Sequence, residues 1–425
     1  MRTFLFIFLL LSTPCLAQQS NGIIFQSGLS WLQIQTKAKA EKKYIFVDTY
    51  TTWCIPCKQM AAEIFPQKEV GDFFNSNFIN FKVQIDRSKS DSYAVKKAYS
   101  DAKLIKETYK ISAYPTYLFF NPEGELVHSI IGTSSGKEFI VKARQALDPS
   151  TQYTKLRKEF EEGRRDTAFL KLLIRISRSV NDMMNLPKYR KSYLETQVDL
   201  LTPQNIRLIA QSISSSKDIG YNVLINYPEK VDEVIGARWR NDLINDIAFD
   251  EYILPKIRLG GKKEIYPGGM AGYVGELNKS IDWVALNDSL QVKFNERADR
   301  LLLDAKTHYF RYNNDWGNLN KTLLQYVSQH QNTEIYIISD WLQYFTSFCK
   351  ESKYLEDVLI WARNVQSNIE DPTAIKNYGL VLYKVGKKEQ AIAMLLKCQN
   401  LLPKPDESIT ALIAKIKNGQ KIDQH

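Results

Sequence analysis

Residues 48–60 read DTYTTWCIPCKQM, and this stretch decides how the rest of the chain is interpreted. Cys54 and Cys57 are separated by two residues, with Trp53 before them and Pro56 between them. Three interpretations are open at first: a structural disulfide, half of a metal site, or a reactive dithiol. A disulfide that closes so short a loop gains little from loop entropy, so it makes a poor structural cross-link.

A metal site is the second interpretation, and the sequence supplies few ligands for it. A structural zinc site needs four protein ligands, and no second pair of cysteines has this spacing. No histidine lies three or four positions from another in the set His128, His308, His330 and His425. The pattern therefore predicts no metal site and favours the reactive dithiol.

The dithiol follows a predicted strand and opens a predicted helix. The run YIFVDTY, residues 44–50, is β-branched and aromatic, which is typical of a buried strand. The segment after Cys54 is predicted to be helical as far as Phe65, because Pro66 ends it. Free backbone N–H groups at a helix start stabilise a thiolate. We therefore predict that Cys54 is the exposed, attacking thiol and Cys57 the shielded thiol that resolves a mixed disulfide.

Strands and helices alternate from Gly28 to Leu147. A β-turn is predicted at NPEG, residues 121–124, between two strands. The predicted helices lie at 29–43, 54–65, 94–110 and 136–147, and the predicted strands at 44–50, 78–86, 115–120 and 125–132. This order predicts an α/β domain with a central mixed sheet flanked by helices.

WCIPCK, residues 53–58, resembles the active site of the thioredoxin superfamily. The resemblance extends to Asp48, which matches the family's buried acid, and to Tyr114-Pro115-Thr116, which matches its cis-proline segment. It covers about residues 28–148. In that family the buried acid shuttles the proton of the resolving thiol, and the cis-proline backbone lies against the dithiol and helps to hold the substrate chain.

The resemblance implies a thiol:disulfide oxidoreductase that acts on protein thiols and disulfides and needs no cofactor. It is closest to the periplasmic thioredoxin-like domains of the thiol:disulfide interchange type, which implies a membrane electron donor. Pro56, and the absence of a histidine between the cysteines, favour reduction or isomerisation over oxidation. The implied site residues are catalytic Cys54, Cys57 and Asp48, substrate-binding Trp53, Tyr114 and Pro115, and supporting Pro56 and Lys58.

Some choices within this site stay open. Trp53 either shields the dithiol or is ordinary packing, and Lys58 either lowers the thiolate pKa or is simply solvated. The chain departs from short thioredoxins at Ile55, where the family has a glycine, and in the added segment 87–102. The first departure leaves the redox potential open, and the second predicts an altered rim around the site.

The N-terminus predicts export. Arg2 is followed by the apolar run FLFIFLLL, residues 4–11, and then by residues that end in the small side chain of Ala17. This pattern predicts a signal peptide at 1–17 and a soluble, periplasmic mature protein. The apolar run is too short to span a bilayer. A lipoprotein acylated at Cys15 is the alternative, which Pro14 disfavours.

The formal net charge is +10, but no dense Lys/Arg block or nucleic-acid motif accompanies it. We therefore expect a basic surface and no nucleic-acid partner.

The character of the chain changes after Pro149, where long amphipathic stretches predict helices. Residues 373–403 place small side chains at Gly379, Gly386 and Ala391, as a tetratricopeptide repeat does, and Leu359 and Ala362 continue the pattern upstream. The predicted organisation is a signal peptide at 1–17, a thioredoxin-like domain at 18–148, a helical region at 149–345 and tetratricopeptide-like repeats at 346–425.

Three further expectations concern single features. The glycine-rich segment 260–275 is predicted to be a loop between helical blocks. Cys349 and Cys398 are expected to be buried and reduced, and His128 to lie at the surface.

An alternative function stays open beside the enzyme. The helical repeats could bind client proteins or peptides on a concave face, with the thioredoxin-like domain as a docking module. The complete dithiol disfavours this alternative.

Overall fold

A computed structural model describes residues 22–265, 271–329, 335–362, 370–420 and 422. The predicted signal peptide, with Cys15, lies outside these residues. The chain forms two compact units, the first running to Arg240 and the second holding most of the chain from Asn241 onward. Across the described ranges, no helix combines the length and the apolar character that a membrane crossing requires.

A five-stranded mixed sheet organises the first 148 residues. Its strands are β1 (Phe25–Gln26), β2 (Tyr44–Tyr50), β3 (Phe78–Gln84), β4 (Thr116–Phe120) and β5 (Leu126–Ile131). Their order in the sheet is β1-β3-β2-β4-β5. The three strands β1, β3 and β2 are parallel, whereas β4 and β5 are antiparallel to their neighbours. The central strand β2 therefore lies between a parallel and an antiparallel partner.

Helices cover both faces of this sheet. They are α1 (Trp31–Glu41), α2 (Ile55–Gln59), α3 (Lys68–Asn77), α4 (Tyr93–Lys97), α5 (Tyr99–Thr108) and α6 (Gly136–Leu147). A π-helical turn at Met60–Ile64 continues α2 up to the position before Phe65. The mixed sheet with flanking helices confirms the predicted α/β fold, and β2 has the predicted bounds.

Aromatic side chains form the core on the face of the sheet that carries Asp48. Phe46 on β2 packs at 5.3 Å from Phe119 on β4 and at 5.9 Å from Phe139 on α6, measured between ring centroids. Tyr117 on β4 lies 4.9 Å from the same Phe139 ring. Burying such large apolar rings is the main favourable contribution to folding. The strand that carries Asp48 is thus held in a rigid environment.

Helices continue beyond β5 and cover the outer edge of the sheet. In the rest of the first unit they are α7 (Tyr153–Glu161), α8 (Thr167–Ser179), α9 (Leu186–Glu195), α10 (Pro203–Ala210), α11 (Ile219–Asn226) and α12 (Pro228–Ile235). The hydroxyl of Thr154 donates to the Val127 carbonyl at 2.7 Å, and the Ile131 N–H donates to the Val180 carbonyl at 3.2 Å. These bonds satisfy backbone groups of an edge strand that would otherwise be open to pairing.

His128 belongs to this contact, so the prediction that it lies at the surface is wrong. Its side chain is fully buried, and its Nδ1 accepts the backbone N–H of Tyr153 at 3.1 Å. Burial lowers the pKa of His128 to about 3, so the imidazole is neutral. The sequence of β5 alone could not show that α7 covers it.

The second unit is also mainly helical. Its helices are α13 (Ala237–Ala248, which begins in the first unit), α14 (Leu254–Ile257), α15 (Trp283–Phe294), α16 (Ala298–Tyr312), α17 (Trp316–Gln329), α18 (Ile335–Phe348), α19 (Ser352–Trp361), α20 (Pro372–Lys384), α21 (Lys388–Leu401) and α22 (Glu407–Lys417). The long helical region after residue 148 agrees with the predicted fold class.

The predicted loop at 260–275 is wrong for the described part of that segment. Arg258–Ile265 and Ala271–Leu277 form strands β6 and β7 of a two-stranded sheet. Glycine is weak as a strand former, which hid the strands from a reading of the sequence. Gly275 has a positive φ of 94°, and a side chain there would collide with the Leu259 carbonyl. Glycine is therefore needed where the two strands approach closely.

Helices α20 and α21 pack against each other through the small residues that the sequence singled out. A Cβ atom added at Gly379 would lie 3.3 Å from the Cβ of Met394 and 3.4 Å from the Ala391 carbonyl oxygen. Glycine thus permits the two helix backbones to approach. Cys349 and Cys398 are buried and reduced, as expected. The assignment of this hairpin to the tetratricopeptide repeats, and the domain limits, stay predictions.

Candidate active site

The cysteine pair lies where β2 gives way to α2. Cys54 is the N-cap of α2, and Pro56 occupies the first turn, where its missing N–H costs no hydrogen bond. Cys54 and Cys57 are joined by a disulfide, and the Cys57 backbone N–H points to the Sγ of Cys54 at 3.1 Å. The local sequence therefore starts a helix and places both sulfur atoms in its first turn.

The disulfide is less accessible than the sequence suggested. Cys54 is 3 % exposed and Cys57 6 % exposed, so the prediction that Cys54 is the exposed thiol is wrong for the disulfide form. The physical reason is that the Sγ of Cys54 is bonded within the helix start instead of pointing to solvent. The flanking side chains of Trp53 and Ile55 are 66 % and 67 % exposed. The surface around the dithiol is therefore apolar and open.

Trp53 connects the dithiol loop to the loop that precedes β4. Its ring meets the ring of Tyr114 edge-on, with the centroids 5.9 Å apart. Its large exposure excludes ordinary core packing, which was one of the two interpretations of this residue. The peptide bond between Tyr114 and Pro115 is cis. The structure thus brings Trp53, beside Cys54, into contact with Tyr114, beside Pro115.

Hydrogen bonds fix the Pro115 loop on both sides. The carbonyl of Pro115 accepts the N–H of Gly132 at 2.9 Å, and the hydroxyl of Thr116 donates to the Ala113 carbonyl at 2.7 Å. The hydroxyl of Thr49 on β2 donates to the Thr116 carbonyl at 2.6 Å. Pro115 itself is buried. The loop is therefore anchored to β2 and β5 before any substrate arrives.

Asp86, which sequence reasoning missed, supports the dithiol loop from the other side. Its Oδ1 accepts the backbone N–H of Thr52 at 2.9 Å, and its Oδ2 accepts the Thr52 hydroxyl. Asp86 follows β3, which is the parallel neighbour of β2. Since parallel strands end at the same edge of a sheet, an acid just after β3 reaches a loop just after β2. The only sequence signal for this role was the position of Asp86 at the end of a predicted strand.

Asp48 is a buried acid on the strand that leads into the dithiol loop. It lies on β2, is 2 % exposed, and pairs in register with Lys82 on β3 and Tyr117 on β4. Burial raises its pKa from 3.8 to about 6, while the Lys82 ammonium lowers it and so limits the rise. Asp48 can therefore gain and lose a proton near neutral pH.

Lys82 is the second residue that sequence reasoning missed. Its Nζ lies 3.6 Å from the Oδ2 of Asp48 and 4.5 Å from the centre of the Tyr50 ring. The side chain is 30 % exposed, so the ammonium keeps contact with water while it lies beside Asp48. A lysine within the apolar run FINFKVQ was the available signal. The register of β2 against β3, which sequence does not give, makes it the partner of Asp48.

Tyr117 flanks Asp48 on β4. The tyrosine is fully buried, and its hydroxyl has no hydrogen-bond partner among the described residues. Burial and the Asp48 carboxylate both raise its pKa, so the phenol keeps its proton. Burying a hydroxyl without a protein partner costs free energy.

The other predicted residues lie at the periphery. Pro56 and Lys58 are on α2 with exposed side chains. The added segment 87–102 forms α4 and part of α5, and it is tied down through Asp91. Asp91 accepts hydrogen bonds from the Tyr99 hydroxyl at 2.6 Å and the Gln84 amide at 2.9 Å, and these bonds lower its pKa. The segment is thus attached to the end of β3, next to Asp86.

Comparison with known proteins identifies this domain. The family of thioredoxin-like domains matches residues 33–147. Thioredoxin H4 of Arabidopsis thaliana is 30% identical over 104 residues, which are 24% of this chain and 72% of that protein. The thiol:disulfide interchange protein DsbD of Pseudoalteromonas atlantica is 28% identical over 112 residues, which are 26% of this chain but only 17% of DsbD.

Solved structures also resemble this region. A proposed disulphide-isomerase from Bacteroides thetaiotaomicron is 32% identical, with a TM-score of 0.26, and the match covers 31% of this chain and 97% of that one. The identity to Thioredoxin H4 extends over most of that protein. The chain therefore belongs to the thioredoxin superfamily through its N-terminal domain.

Proposed function

We propose that this protein is a thiol:disulfide oxidoreductase whose dithiol, Cys54 and Cys57, reduces or isomerises disulfides in other proteins. The observation that carries the proposal is the combination of this dithiol at a helix start with the buried acid Asp48 on the strand that leads into it. A packed domain has no structural need for a buried carboxylate whose ionisation is unfavourable.

The reaction begins from the reduced dithiol. The Cys54 thiolate attacks one sulfur of a substrate disulfide, a mixed disulfide forms, and the other substrate sulfur leaves as a thiolate. Cys57 then attacks the Sγ of Cys54 and releases the second substrate sulfur. The Cys54–Cys57 disulfide forms and two electrons pass to the substrate. In isomerisation the released substrate thiolate attacks a second substrate disulfide, and the thiolate freed there attacks the substrate sulfur of the mixed disulfide, which forms a new substrate disulfide and releases Cys54 as a thiolate.

Asp48 accepts the proton that Cys57 must lose before it attacks. We assign this transfer to a water molecule between the two side chains. A pKa of about 6 leaves most Asp48 side chains ionised at pH 7, yet close enough to neutrality to take up a proton. Lys82 keeps the pKa from rising further.

The apolar rim would hold the substrate chain. Trp53, Ile55 and Tyr114 form the exposed or half-exposed surface next to the dithiol, and Pro115 lies behind them. Large aromatic side chains that stay exposed on a folded domain are typical of a binding surface. We assign the contact with a substrate polypeptide to these residues.

The proposed compartment is the periplasm. The signal-like residues 1–17 support it, and so does the similarity to DsbD, a thiol:disulfide interchange protein. A reductase in that compartment needs a supply of electrons, for which we propose a membrane reductant carrier. The helical region would present client proteins to the dithiol.

Insulin reduction tests the proposal. Full-length protein with a chemical reductant is expected to accelerate the precipitation of insulin chains, and Cys54→Ser is expected to abolish the acceleration. Cys349→Ser is the matched control, because Cys349 is free and lies in the second unit. Equal turnover by Cys54→Ser and the parent would contradict the proposal. The reduction potential of the Cys54–Cys57 pair then separates a reductase from an oxidase.

A further inference from the structure

A basic groove lies on the helical part of the first unit. It has a volume of about 630 Å³ and is lined by helices α8, α9 and α10. Helix α8 contributes Lys171, Ile174, Arg175, Arg178 and Ser179, whose spacing places them along one helix face. Tyr193 comes from α9, and Gln204 and Leu208 come from α10. The lining thus combines three cations with three apolar or aromatic side chains.

The three cations lack acidic partners. Among the described residues, Lys171, Arg175 and Arg178 make no ion pair, and no carboxylate lines the groove. Other helices of this unit pair a lysine with an acid four positions later, as Lys37 does with Glu41 and Lys158 with Glu162. At the equivalent spacing α8 has Arg175 after Lys171. Like charges at this spacing destabilise a helix, so the arrangement calls for a reason outside the helix itself.

A buried arginine increases the positive potential behind the groove. Arg190 on α9 is 7 % exposed, and its Nη1 donates to the Gln211 carbonyl at 3.0 Å. Its Nε is buried and has no partner among the described residues. Burial lowers the pKa of Arg190, and the neighbouring Arg178 lowers it further. The Arg178 guanidinium, which lines the groove, therefore has a second positive charge within electrostatic range.

The shape of the groove favours a polypeptide as the occupant. The groove is a concavity lined by three helices, which accommodates a narrow polypeptide better than a flat membrane surface. Ile174 and Leu208 provide apolar contacts that bare phosphate groups would not use. Alternating acidic and apolar side chains on a peptide would match the lining.

We propose that this groove binds acidic peptide segments of partner proteins in an extended conformation, with carboxylates at Lys171, Arg175 and Arg178 and apolar side chains against Ile174 and Leu208. Binding of this kind does not involve the dithiol, so the inference goes beyond the proposed redox function. The two are tested separately.

The groove is connected to the Pro115 loop through the backbone. Ser179 lines the groove, and the carbonyl of the next residue, Val180, accepts the N–H of Ile131. Gly132, which follows Ile131, donates its N–H to the carbonyl of Pro115 at 2.9 Å. A segment bound along α8 would therefore leave the groove close to the strand that anchors the proposed substrate loop.

Fluorescence anisotropy tests the proposal with the full chain in its disulfide form, which cannot capture a peptide covalently. The probe is a labelled Glu-rich peptide with interspersed leucines. Its Lys-for-Glu and Ser-for-Leu counterparts are compared with it. We expect saturable binding of the first peptide in the micromolar range, weakened by salt, with weaker binding of the Ser-containing peptide and none of the Lys-containing peptide.

Charge reversal then locates the site. Arg175→Glu is expected to weaken binding about tenfold, because one attraction becomes a repulsion. Lys230→Glu, on α12 and outside the groove lining, changes the net charge equally and is expected to have less than about a twofold effect. Circular dichroism checks that both variants fold. If Arg175→Glu does not fold, Arg175→Gln replaces it in the binding measurement.

Three outcomes would overturn the proposal. The first is failure of the Glu-rich peptide to bind. The second is an equal effect of Arg175→Glu and Lys230→Glu. The third is binding of single-stranded DNA or phosphatidylglycerol vesicles that depends on Arg175 while peptide binding does not. Insulin reduction without added client is expected to be the same in Arg175→Glu and the parent. Loss of peptide binding with intact insulin reduction, and the reverse, therefore distinguish failure of one proposal from failure of the other.

Discussion

Replacing Asp48 with asparagine is expected to stabilise the thioredoxin-like domain at alkaline pH and to have much less effect in acid. The carboxyl group is 2 % exposed, and burial raises its pKa from 3.8 to about 6. Because the folded-state pKa lies above that of the unfolded chain, proton binding favours the folded state. This contribution to stability is fully present below about pH 4 and is lost as the pH rises through about 6.

The size of the effect follows from the shift in pKa. About two pKa units correspond to about 3 kcal/mol, so ionised Asp48 lowers the free energy of unfolding by about 3 kcal/mol at pH 8 and by about 1 kcal/mol at pH 4.5. Asparagine cannot ionise, so the stabilisation by Asp48→Asn should grow by about 2 kcal/mol between these pH values. Lys82 loses its partner but is 30 % exposed and can be solvated, which limits the opposing cost.

Hydrogen exchange under increasing urea measures the free energy of unfolding of the thioredoxin-like domain alone. A local measurement is needed because the full chain has two units and one global unfolding free energy would be ill defined. The informative peptides cover Tyr44–Tyr50 and Phe78–Gln84, in the disulfide form of parent and variant. Asp72→Asn is the matched control, since Asp72 is exposed on α3 and pairs with Lys68. A gain for Asp48→Asn that is the same at both pH values, or a loss at pH 8, would refute the reasoning.

Three other changes probe the surroundings of the site. Lys82→Met is expected to raise the pKa of Asp48 by about one unit, since it removes the opposite charge 3.6 Å away, and the pH profile of insulin reduction should move to higher pH accordingly. Asp86→Ala removes both hydrogen bonds to Thr52 and should lower kcat for insulin with little change in the melting temperature, whereas Asp86→Asn should retain part of the activity. His128, with a pKa of about 3 in the folded state against 6.5 in the unfolded chain, contributes stability that is present above about pH 6.5 and falls as the pH drops towards 3. The protection factors of α7 amides, corrected for the slower intrinsic exchange at low pH, should therefore fall between pH 7 and pH 5, and His128→Phe should remove that fall.

Local patterns were enough to predict the thioredoxin-like fold. The run 44–50 is a strand with the predicted bounds, because β-branched and aromatic residues on both faces leave no amphipathic helix as an alternative. Pro66 marked the end of the helix that follows Cys54, and the turn at 121–124 marked the boundary between β4 and β5. The two-residue strand β1 was not predicted, because two residues carry no periodicity and the strand exists only through its pairing with β3.

The errors have a common physical origin, which is contact between segments distant in sequence. His128 is buried because α7 packs on β5, and Lys82 is the partner of Asp48 because of strand register. Neither of these facts is encoded in the residues next to the position concerned. The error at strand β6 has a different cause. Its glycines have a low intrinsic preference for strands, and pairing with β7 overrides that preference.

The covered edge of the sheet links the two parts of the first unit. A domain built only for dithiol exchange could leave β5 exposed and protect it with charges or a bulge. Here the Ile131 N–H bonds to Val180 at the end of α8, and the next residue, Gly132, bonds to the carbonyl of Pro115. The end of β5 thus contacts both the end of α8 and the loop assigned to substrate binding. Two successive N–H groups at the end of β5 therefore satisfy a carbonyl at the end of α8 and a carbonyl of the Pro115 loop, so covering the edge strand also fixes the position of that loop.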